Sequence, residues 1–209
     1  MSAADRNADR NAYLNFVLYA VLGRMAEADE VMRRHSDAIE SVARFLAKQR
    51  PIAPAPVYRG MLVDPAVPLV VDHRYTFVSW SEDVDVACWF GSADSIISAP
   101  LAASNPRLRG VVLTMPAPRR VLFHHSWSDE DGRGAGAGAG WSRLALLHPH
   151  MGPDGARQIA WSLRTQREVI TAPVELPEPT PTGIVRTKSV ADLDAQFAPG
   201  FLFDVKEAM

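Results

Sequence analysis

The chain is predicted to fold as an α+β protein with a helical N-terminal segment. Residues 13–49 place apolar side chains three and four positions apart, which is the spacing of one face of an amphipathic helix. From Val57 onward the pattern changes to short β-rich runs, most of them bounded by Pro, Gly, Asp or Ser. These runs cover residues 57–59, 75–80, 110–115, 120–123, 143–147 and 168–174. They do not alternate regularly with helices, so a doubly wound parallel sheet is disfavoured.

The helical segment ends where three prolines between positions 51 and 56 form a stiff connector. Ser36 and Asp37 would cap a second helix if the run breaks near His35. We therefore predict an N-terminal helical extension over residues 1–50 that packs on a domain covering 51–209. The alternative is that its apolar face binds a partner or a second copy.

Composition limits the classes of protein to consider. The chain has 209 residues, of which 47% are apolar and 22% are charged, as in an ordinary soluble globular protein. The net charge of -2 provides no global basic field for nonspecific nucleic-acid binding. Cys88 is the single cysteine, so no disulfide can form within the chain, and we expect it to be a small core residue. The first 12 residues are polar and no apolar stretch is long enough to span a membrane, so neither a signal peptide nor a membrane span is predicted.

A low-complexity run, GRGAGAGAG, occupies residues 132–140. Its glycine spacing does not match G-x-G-x-x-G, and it follows an acidic stretch and not a buried strand. We therefore expect a flexible Gly/Ala loop over residues 129–141 and not a phosphate-binding loop.

Three short segments carry side chains suited to chemistry. The first places Arg59 at the end of an apolar run and beside Gly60. A guanidinium presents a planar fork of donors to phosphate oxygens, and a glycine lets a ligand approach the backbone closely. Alone, such a pair is usually the exposed end of a strand.

The second segment, residues 76–83, places Ser79 and Ser81 on one face of a predicted strand. A helix containing Phe90 follows, and Ser81 would cap it, which is the structural alternative to a ligand contact. Ser79 has no local capping role, so a buried hydroxyl there needs a specific partner.

The third segment, residues 166–170, places Glu168 at the edge of a β-branched run. Gln166 shares its face if the strand extends that far. A glutamate that enters a buried strand is costly unless it is paired, so a structural ion pair with an arginine is the alternative to a catalytic carboxylate.

The order of an arginine strand (VYRG), a serine strand (FVSWSED) and a glutamate strand (QREVI) resembles the R-S-E class of mono-ADP-ribosyltransferases. The similarity is greatest to phage-type and bacterial effector members, and it spans residues 57–174. It implies a split β-sandwich of two facing sheets with NAD in the cleft between them. It also implies action in the cytoplasm, which is a host's cytoplasm if the protein is delivered by a phage or secreted without a classical signal.

The resemblance assigns roles to individual residues. Glu168 would bond the ribose 2′-hydroxyl as the catalytic carboxylate, Ser79 would orient it, and Gln166 would meet the acceptor. Arg59 would hold the diphosphate and the backbone of Gly60 the nicotinamide amide. The full set implied for NAD binding is Arg59, Gly60, Ser79, Ser81 and Phe90. NAD is then a co-substrate, and no metal is implied.

The acceptor is expected to be a macromolecule, with protein favoured over nucleic acid. A glutamine at position 166 is similar to the pattern of enzymes that modify asparagine or guanine, because a neutral amide pairs with another amide or a base edge. Two alternatives stay open, namely an NAD glycohydrolase with the same residues and a non-enzymatic binding or structural member of the fold.

Histidines and tryptophans form the last candidates. His124, His125, His148 and His150 have no nearby cysteine or paired carboxylate at a familiar metal spacing, so solvated or capping histidines are expected and no metal site is predicted. Trp141 and Trp161 flank segments expected to be mobile and are candidates to contact ligand or target.

Overall fold

The computed structural model describes residues 3–66, 75–96, 98–128, 163, 165–173 and 191–195. Two compact units divide the chain. The first comprises Met1–Pro54, Asp72–Ser79 and Pro118–Val174, and the second comprises Ala55–Val71, Trp80–Ala117 and Glu175–Met209. The Gly/Ala loop at 129–141 and the strand predicted at 143–147 lie outside the described residues.

The N-terminal segment forms two helices, α1 (Ala3–Val21) and α2 (Met25–Gln49). The predicted break near His35 is present as a kink with φ -132° and ψ 29°, and a second, complete break lies at Gly23. Gly23 has φ 75°, and the N–H groups of Gly23 and Arg24 donate to the carbonyls of Ala20 and Tyr19. This is a Schellman motif, in which a left-handed glycine terminates a helix and satisfies its last carbonyls.

The core of the first unit lies between these helices and two strands, β4 (Val121–His124) and β5 (Glu168–Thr171). Large side chains that are almost fully buried fill it, each contributing roughly 1.5–3 kcal/mol relative to exposure. They are Tyr13, Phe16, Val17, Ile39, Phe123, Leu163 and Ile170.

Hydrogen bonds also fix the helices to the rest of this unit. The Tyr13 hydroxyl donates to the carbonyl of Leu122 at 3.0 Å. At the end of α2, Arg50 and Trp127 exchange two bonds, since each side chain donates to the other residue's carbonyl, at 3.2 and 3.1 Å. The helical segment is therefore held by buried bonds as well as by apolar packing.

The remaining described strands are β1 (Val57–Val63), β2 (Val78–Ser81) and β3 (Arg109–Met115). All five strands form one sheet with the order β3-β1-β2-β5-β4, so the fold is mixed α+β with a helical N-terminus. β1 pairs antiparallel with β3 along its whole length and with β2 at Tyr58 and Ser81. β4 and β5 are also antiparallel. The described ranges contain this single sheet and no second sheet facing it.

In the second unit, helix α3 (Val84–Phe90) lies directly on β1 and β3, and a short helix, α4 (Ala99–Ser104), follows it. Asp83 is the N-cap of α3, because its side chain accepts from the N–H of Asp85. The prediction that Ser81 caps this helix is therefore wrong by two residues. Ser81 instead accepts from the N–H of Asp83 through its hydroxyl at 2.9 Å and so supports the cap.

Candidate active site

Glu168 is the first residue of β5, and every residue of that strand is buried. Only 5% of Glu168 is exposed. A carboxylate at such a position requires hydrogen bonds or charges to compensate for the water it has lost. Its environment is therefore the part of the molecule that decides whether the glutamate is structural or reactive.

Ser79 lies next to Glu168, although 89 positions separate the two residues in sequence. Ser79 sits in β2, the neighbour of β5 in the sheet, and its hydroxyl donates to Oε1 of Glu168. This is the contact that the resemblance implies between them. A hydroxyl that donates to one oxygen of a carboxylate orients the whole group, and so also sets the direction in which the second oxygen points.

The segment before Glu168 differs from the prediction. β5 begins at Glu168, Gln166 lies in a half-buried turn, and Arg167 between them is exposed with φ 46°. Strand alternation therefore does not extend to Gln166, and Gln166 does not share a strand face with Glu168. A turn at this point presents Gln166 on a loop, and its proposed contact with an acceptor stays a prediction.

In the second unit, Gly60 lies on β1 where α3 packs most closely. A Cβ atom built on Gly60 would lie 1.6 Å from the carbonyl oxygen of Ala87 and 2.6 Å from the nitrogen of Gly91. The sequence predicts that a ligand approaches this glycine, but the group that fills the space beside its Cα is the main chain of α3. The requirement for glycine is therefore a packing requirement, and the role of its backbone toward nicotinamide is untested.

The other residues of the second unit that were assigned to NAD lie on the same elements. Arg59 precedes Gly60 on β1 and is partly buried. Ser81 ends β2 and is 6% exposed. Phe90 is the last residue of α3, partly buried, with its ring centroid 5.1 Å from that of Trp89 in an edge-on arrangement. Their contacts with NAD stay predictions.

His124 and His125 are buried, which corrects the expectation that the histidines are solvated. Their rings stack with centroids 4.6 Å apart, and Nδ1 of His124 accepts from the N–H of Ser126 at 3.2 Å. His124 therefore caps the 3-10 turn His125–Ser128, as the capping alternative expects. His148, His150, Trp141 and Trp161 lie outside the described residues.

Asp29 is a functional candidate that the sequence did not single out. It lies on α2, it is 7% exposed, and its carboxylate accepts from both the N–H and the hydroxyl of Thr76, three residues before Ser79. Burial alone would raise the pKa of Asp29, but the bonds from Thr76 and Arg33 outweigh it and hold that pKa below its ordinary value. In the sequence, Asp29 is marked only by the arginine four residues later, Arg33. This spacing is the same as that of an ordinary surface ion pair on a helix.

Cys88 is a free, buried cysteine inside α3, which confirms its prediction as a core residue. Across the stretches for which placement is described, the helices are either too short or too polar to cross a bilayer. Comparison of the chain with models of known protein families, with curated proteins and with solved structures finds no significant match.

Proposed function

We propose that this protein is a mono-ADP-ribosyltransferase that cleaves NAD and transfers ADP-ribose to a macromolecular acceptor. The observation that carries the proposal is the hydrogen bond from Ser79 to the buried carboxylate of Glu168, formed by residues from two distant motifs. The proposal includes the finer architecture of the family, in which a second sheet faces the one described and NAD lies between them.

The chemistry asks for one oriented carboxylate. When the bond between nicotinamide and ribose breaks, its electron pair passes to the ring nitrogen, and neutral nicotinamide leaves from a cationic pyridinium. The sugar becomes oxocarbenium-like, as in glycoside hydrolysis. A fixed negative oxygen stabilises this developing charge more than it stabilises the neutral ribose, which lowers the barrier. The acceptor then bonds to the sugar carbon and loses a proton.

Under this proposal each predicted residue has a defined task. Glu168 stabilises the cationic sugar and bonds its 2′-hydroxyl, and Ser79 keeps the carboxylate oriented. Arg59 binds the diphosphate, because its guanidinium provides parallel donors for phosphate oxygens. Gln166, on the turn before Glu168, meets the acceptor.

The NAD-binding set is completed by Gly60, Ser81 and Phe90. Gln166 offers a neutral amide that can pair with a protein amide or with a base edge. The net charge of -2 favours a protein acceptor over a nucleic acid. Each assignment follows from the motif match to the transferase class.

The test uses purified full-length protein with NAD labelled in the adenylate portion and a cell lysate. We expect Glu168→Gln to lower kcat roughly 100-fold or more while KM for NAD changes by no more than about threefold, because the carboxylate acts mainly on the transition state. Glu30→Gln is the matched control, since Glu30 is an exposed glutamate paired with Arg34 on α2. It should leave both constants unchanged.

The destination of the label separates the three functions. Label on a macromolecule, lost in Glu168→Gln, supports the transferase, and mass spectrometry of the product identifies the acceptor. Free ADP-ribose as the only product assigns an NAD glycohydrolase with the same carboxylate. No consumption of NAD with any lysate, or equal loss of kcat and substrate binding in Glu168→Gln, would overturn the proposal.

A further inference from the structure

We propose that Asp29 is a positioning residue that holds the strand of Ser79 in place, so that a contact from α2 sets the geometry of Ser79 and Glu168. The inference rests on the proposed function for its catalytic consequence, but its structural content can be tested separately. It implies that contacts from α1 and α2 determine the alignment of the hydrogen bond between Ser79 and Glu168 within the first unit.

The carboxylate of Asp29 bonds to two separate segments of the chain, and we call this arrangement the clamp. Oδ1 accepts the N–H of Thr76 at 2.6 Å and the hydroxyl of Thr76 at 2.8 Å, while Oδ2 accepts Nε of Arg33 at 2.7 Å. Hydrogen bonds to an ionised carboxylate are shorter and about twice as strong as neutral ones. One carboxylate oxygen is therefore committed to the chain before β2, and the other to α2 itself.

An ordinary helix ion pair does not account for this arrangement. The Arg33 side chain is 62% exposed and that of Asp29 only 11%, so the aspartate points into the unit and the arginine out of it. A surface pair of this kind contributes little to stability. Oδ1 of Asp29 instead accepts both bonds from Thr76. Such bonds are needed because burying an ionised group costs free energy that only its hydrogen bonds and charge partners can offset.

The residues that follow Thr76 link its position to that of Ser79. Next to Thr76, the ring of Phe77 meets that of Phe16 on α1 edge-on at 5.2 Å, and the ring of Tyr75 stacks on Phe77 at 6.0 Å. β2 begins one residue later at Val78. Residues 75–77 form a bend that leads directly into β2, and Phe77 within it is buried and packed against Phe16. This packing leaves the short segment little room to absorb a displacement, so a shift at Thr76 reaches Ser79.

The consequence for the site follows from the direction of one hydroxyl. Ser79 donates to Oε1 of Glu168, and a hydrogen bond weakens steeply as its geometry departs from alignment. Displacing the start of β2 would rotate the Glu168 carboxylate or release it. Misplacement of a catalytic group by about 1 Å can cost on the order of 100-fold in rate.

Five variants of the full chain separate positioning from general stability. Asp29→Ala removes the clamp, and Asp29→Asn retains an acceptor for Thr76. Arg33→Gln removes only the helix pair. Thr76→Val removes the hydroxyl bond while preserving shape, and Thr76→Ser restores it. If Asp29→Ala does not fold, the comparison of Thr76→Val with Thr76→Ser alone decides whether the bond to Asp29 positions Ser79.

Three readouts are measured on each variant. They are the steady-state constants for NAD, hydrogen exchange of the peptide covering residues 75–81, and the carbon-13 resonance of the Glu168 carboxyl, assigned with Glu168→Gln. We expect Asp29→Ala to lower kcat about 10- to 100-fold with KM within about threefold, and Thr76→Val to lower it less. Both should accelerate exchange at 75–81 and shift the Glu168 resonance. Arg33→Gln and Thr76→Ser should match the wild type, and Asp29→Asn should fall between them and Asp29→Ala.

The inference is overturned if Asp29→Ala leaves exchange at 75–81 and the Glu168 resonance unchanged, or if Arg33→Gln produces the same changes as Asp29→Ala. Exchange that rises equally throughout α1 and α2 would also overturn it, because Asp29 would then serve stability in general. If the wild-type protein consumes no NAD, the proposed function fails, while the exchange and resonance data still decide whether Asp29 positions Ser79.

Discussion

Arg167 is the one residue, among the non-glycine residues that the structure describes, with a positive φ, at 46°. For an L-residue this left-handed conformation costs about 1–2 kcal/mol. It occurs between the turn at Gln166 and the first residue of β5, where the chain must change direction to bury Glu168. Strain of this kind persists only where the surrounding structure determines the backbone, which is typical of functional segments.

Substitutions at Arg167 test this strain. Arg167→Gly should raise the free energy of unfolding by roughly 0.5–1 kcal/mol, because glycine adopts positive φ without a Cβ clash, whereas Arg167→Val should lower it by about 1–2 kcal/mol. Urea denaturation measures both. Arg167→Ala is the control that removes the side chain but keeps Cβ, so it measures what the side chain itself contributes. Equal stabilisation by alanine and glycine would show that the side chain, and not φ, is responsible.

At the scale of residues, the sequence predicted part of the site. Ser79 and Glu168 were paired through the order of two motifs, since nothing in local patterning reports a contact across 89 positions. Asp29 was missed because its partner Thr76 lies 47 positions away and its visible partner, Arg33, is an ordinary helix neighbour. Gly60 was recognised as a site of close approach, but the approaching group is α3.

The docking of α3 on β1 and β3 depends on three glycines. In addition to Gly60, a Cβ atom on Gly110 would lie 1.9 Å from the carbonyl oxygen of Gly91. Gly91 itself is the C-cap of α3, and a Cβ there would lie 3.0 Å from the carbonyl oxygen of Val111. Main chain meets main chain at these points, so neither partner can yield by changing a rotamer.

Gly60→Ala should therefore lower the free energy of unfolding by at least about 3 kcal/mol, at the upper end for overpacking. Gly23→Ala is the matched control, because a Cβ there meets nothing within 4 Å and only φ 75° opposes it, which predicts a loss of about 1–2 kcal/mol. Urea denaturation followed by tryptophan fluorescence compares them. A Gly60→Ala protein as stable as Gly23→Ala would mean that α3 can move away from β1.

Element boundaries show where local patterning stops being informative. The sequence offered Ser36 and Asp37 as cap residues in case the helix breaks near His35, and the helix is kinked there. The break at Gly23 was not anticipated, because the apolar spacing continues through Leu22 and Met25. The cap of α3 was placed at Ser81 although Asp83 provides it, since both residue types suit an N-cap and only the backbone conformation distinguishes them.

At the scale of the molecule, the α+β class was predictable because the long helical periodicity comes first in the chain and the short strands that follow do not alternate regularly with helices. The strand order β3-β1-β2-β5-β4 was not, because it depends on pairings between residues far apart in sequence. The position of β5 between β2 and β4 cannot be predicted from residue spacing or composition.

The response of stability to alkaline pH is a property of the whole first unit. Burial raises the pKa of Tyr13 far above its ordinary value of 10.0. The sign follows from linkage: the unfolded chain releases the phenolic proton above pH 10 and the folded chain retains it, so stability is complete below pH 10 and falls as pH rises above it. Thermal melts from pH 8 to 11.5 should show this decline.

Tyr13→Phe should flatten the alkaline decline while costing about 1 kcal/mol at neutral pH, because the carbonyl of Leu122 loses its donor. Tyr19→Phe is the control, since the Tyr19 ring faces the guanidinium of Arg24 and leaves the Tyr13 bond intact. It should retain the decline. An identical alkaline decline in Tyr13→Phe and the wild type would assign the effect to other groups.

The partners of α1 and α2 arrive late during synthesis. Phe123 and Ile170 complete the apolar core that these helices begin, and Ile170 follows the end of α2 by roughly 120 residues. At about 5–20 residues per second, the ribosome needs on the order of 10 s to reach it. During that interval α1 and α2 can pack only against each other, and their apolar side chains that later meet β4 and β5 stay exposed to water. The unfinished chain is therefore prone to nonspecific association until those strands have been synthesised.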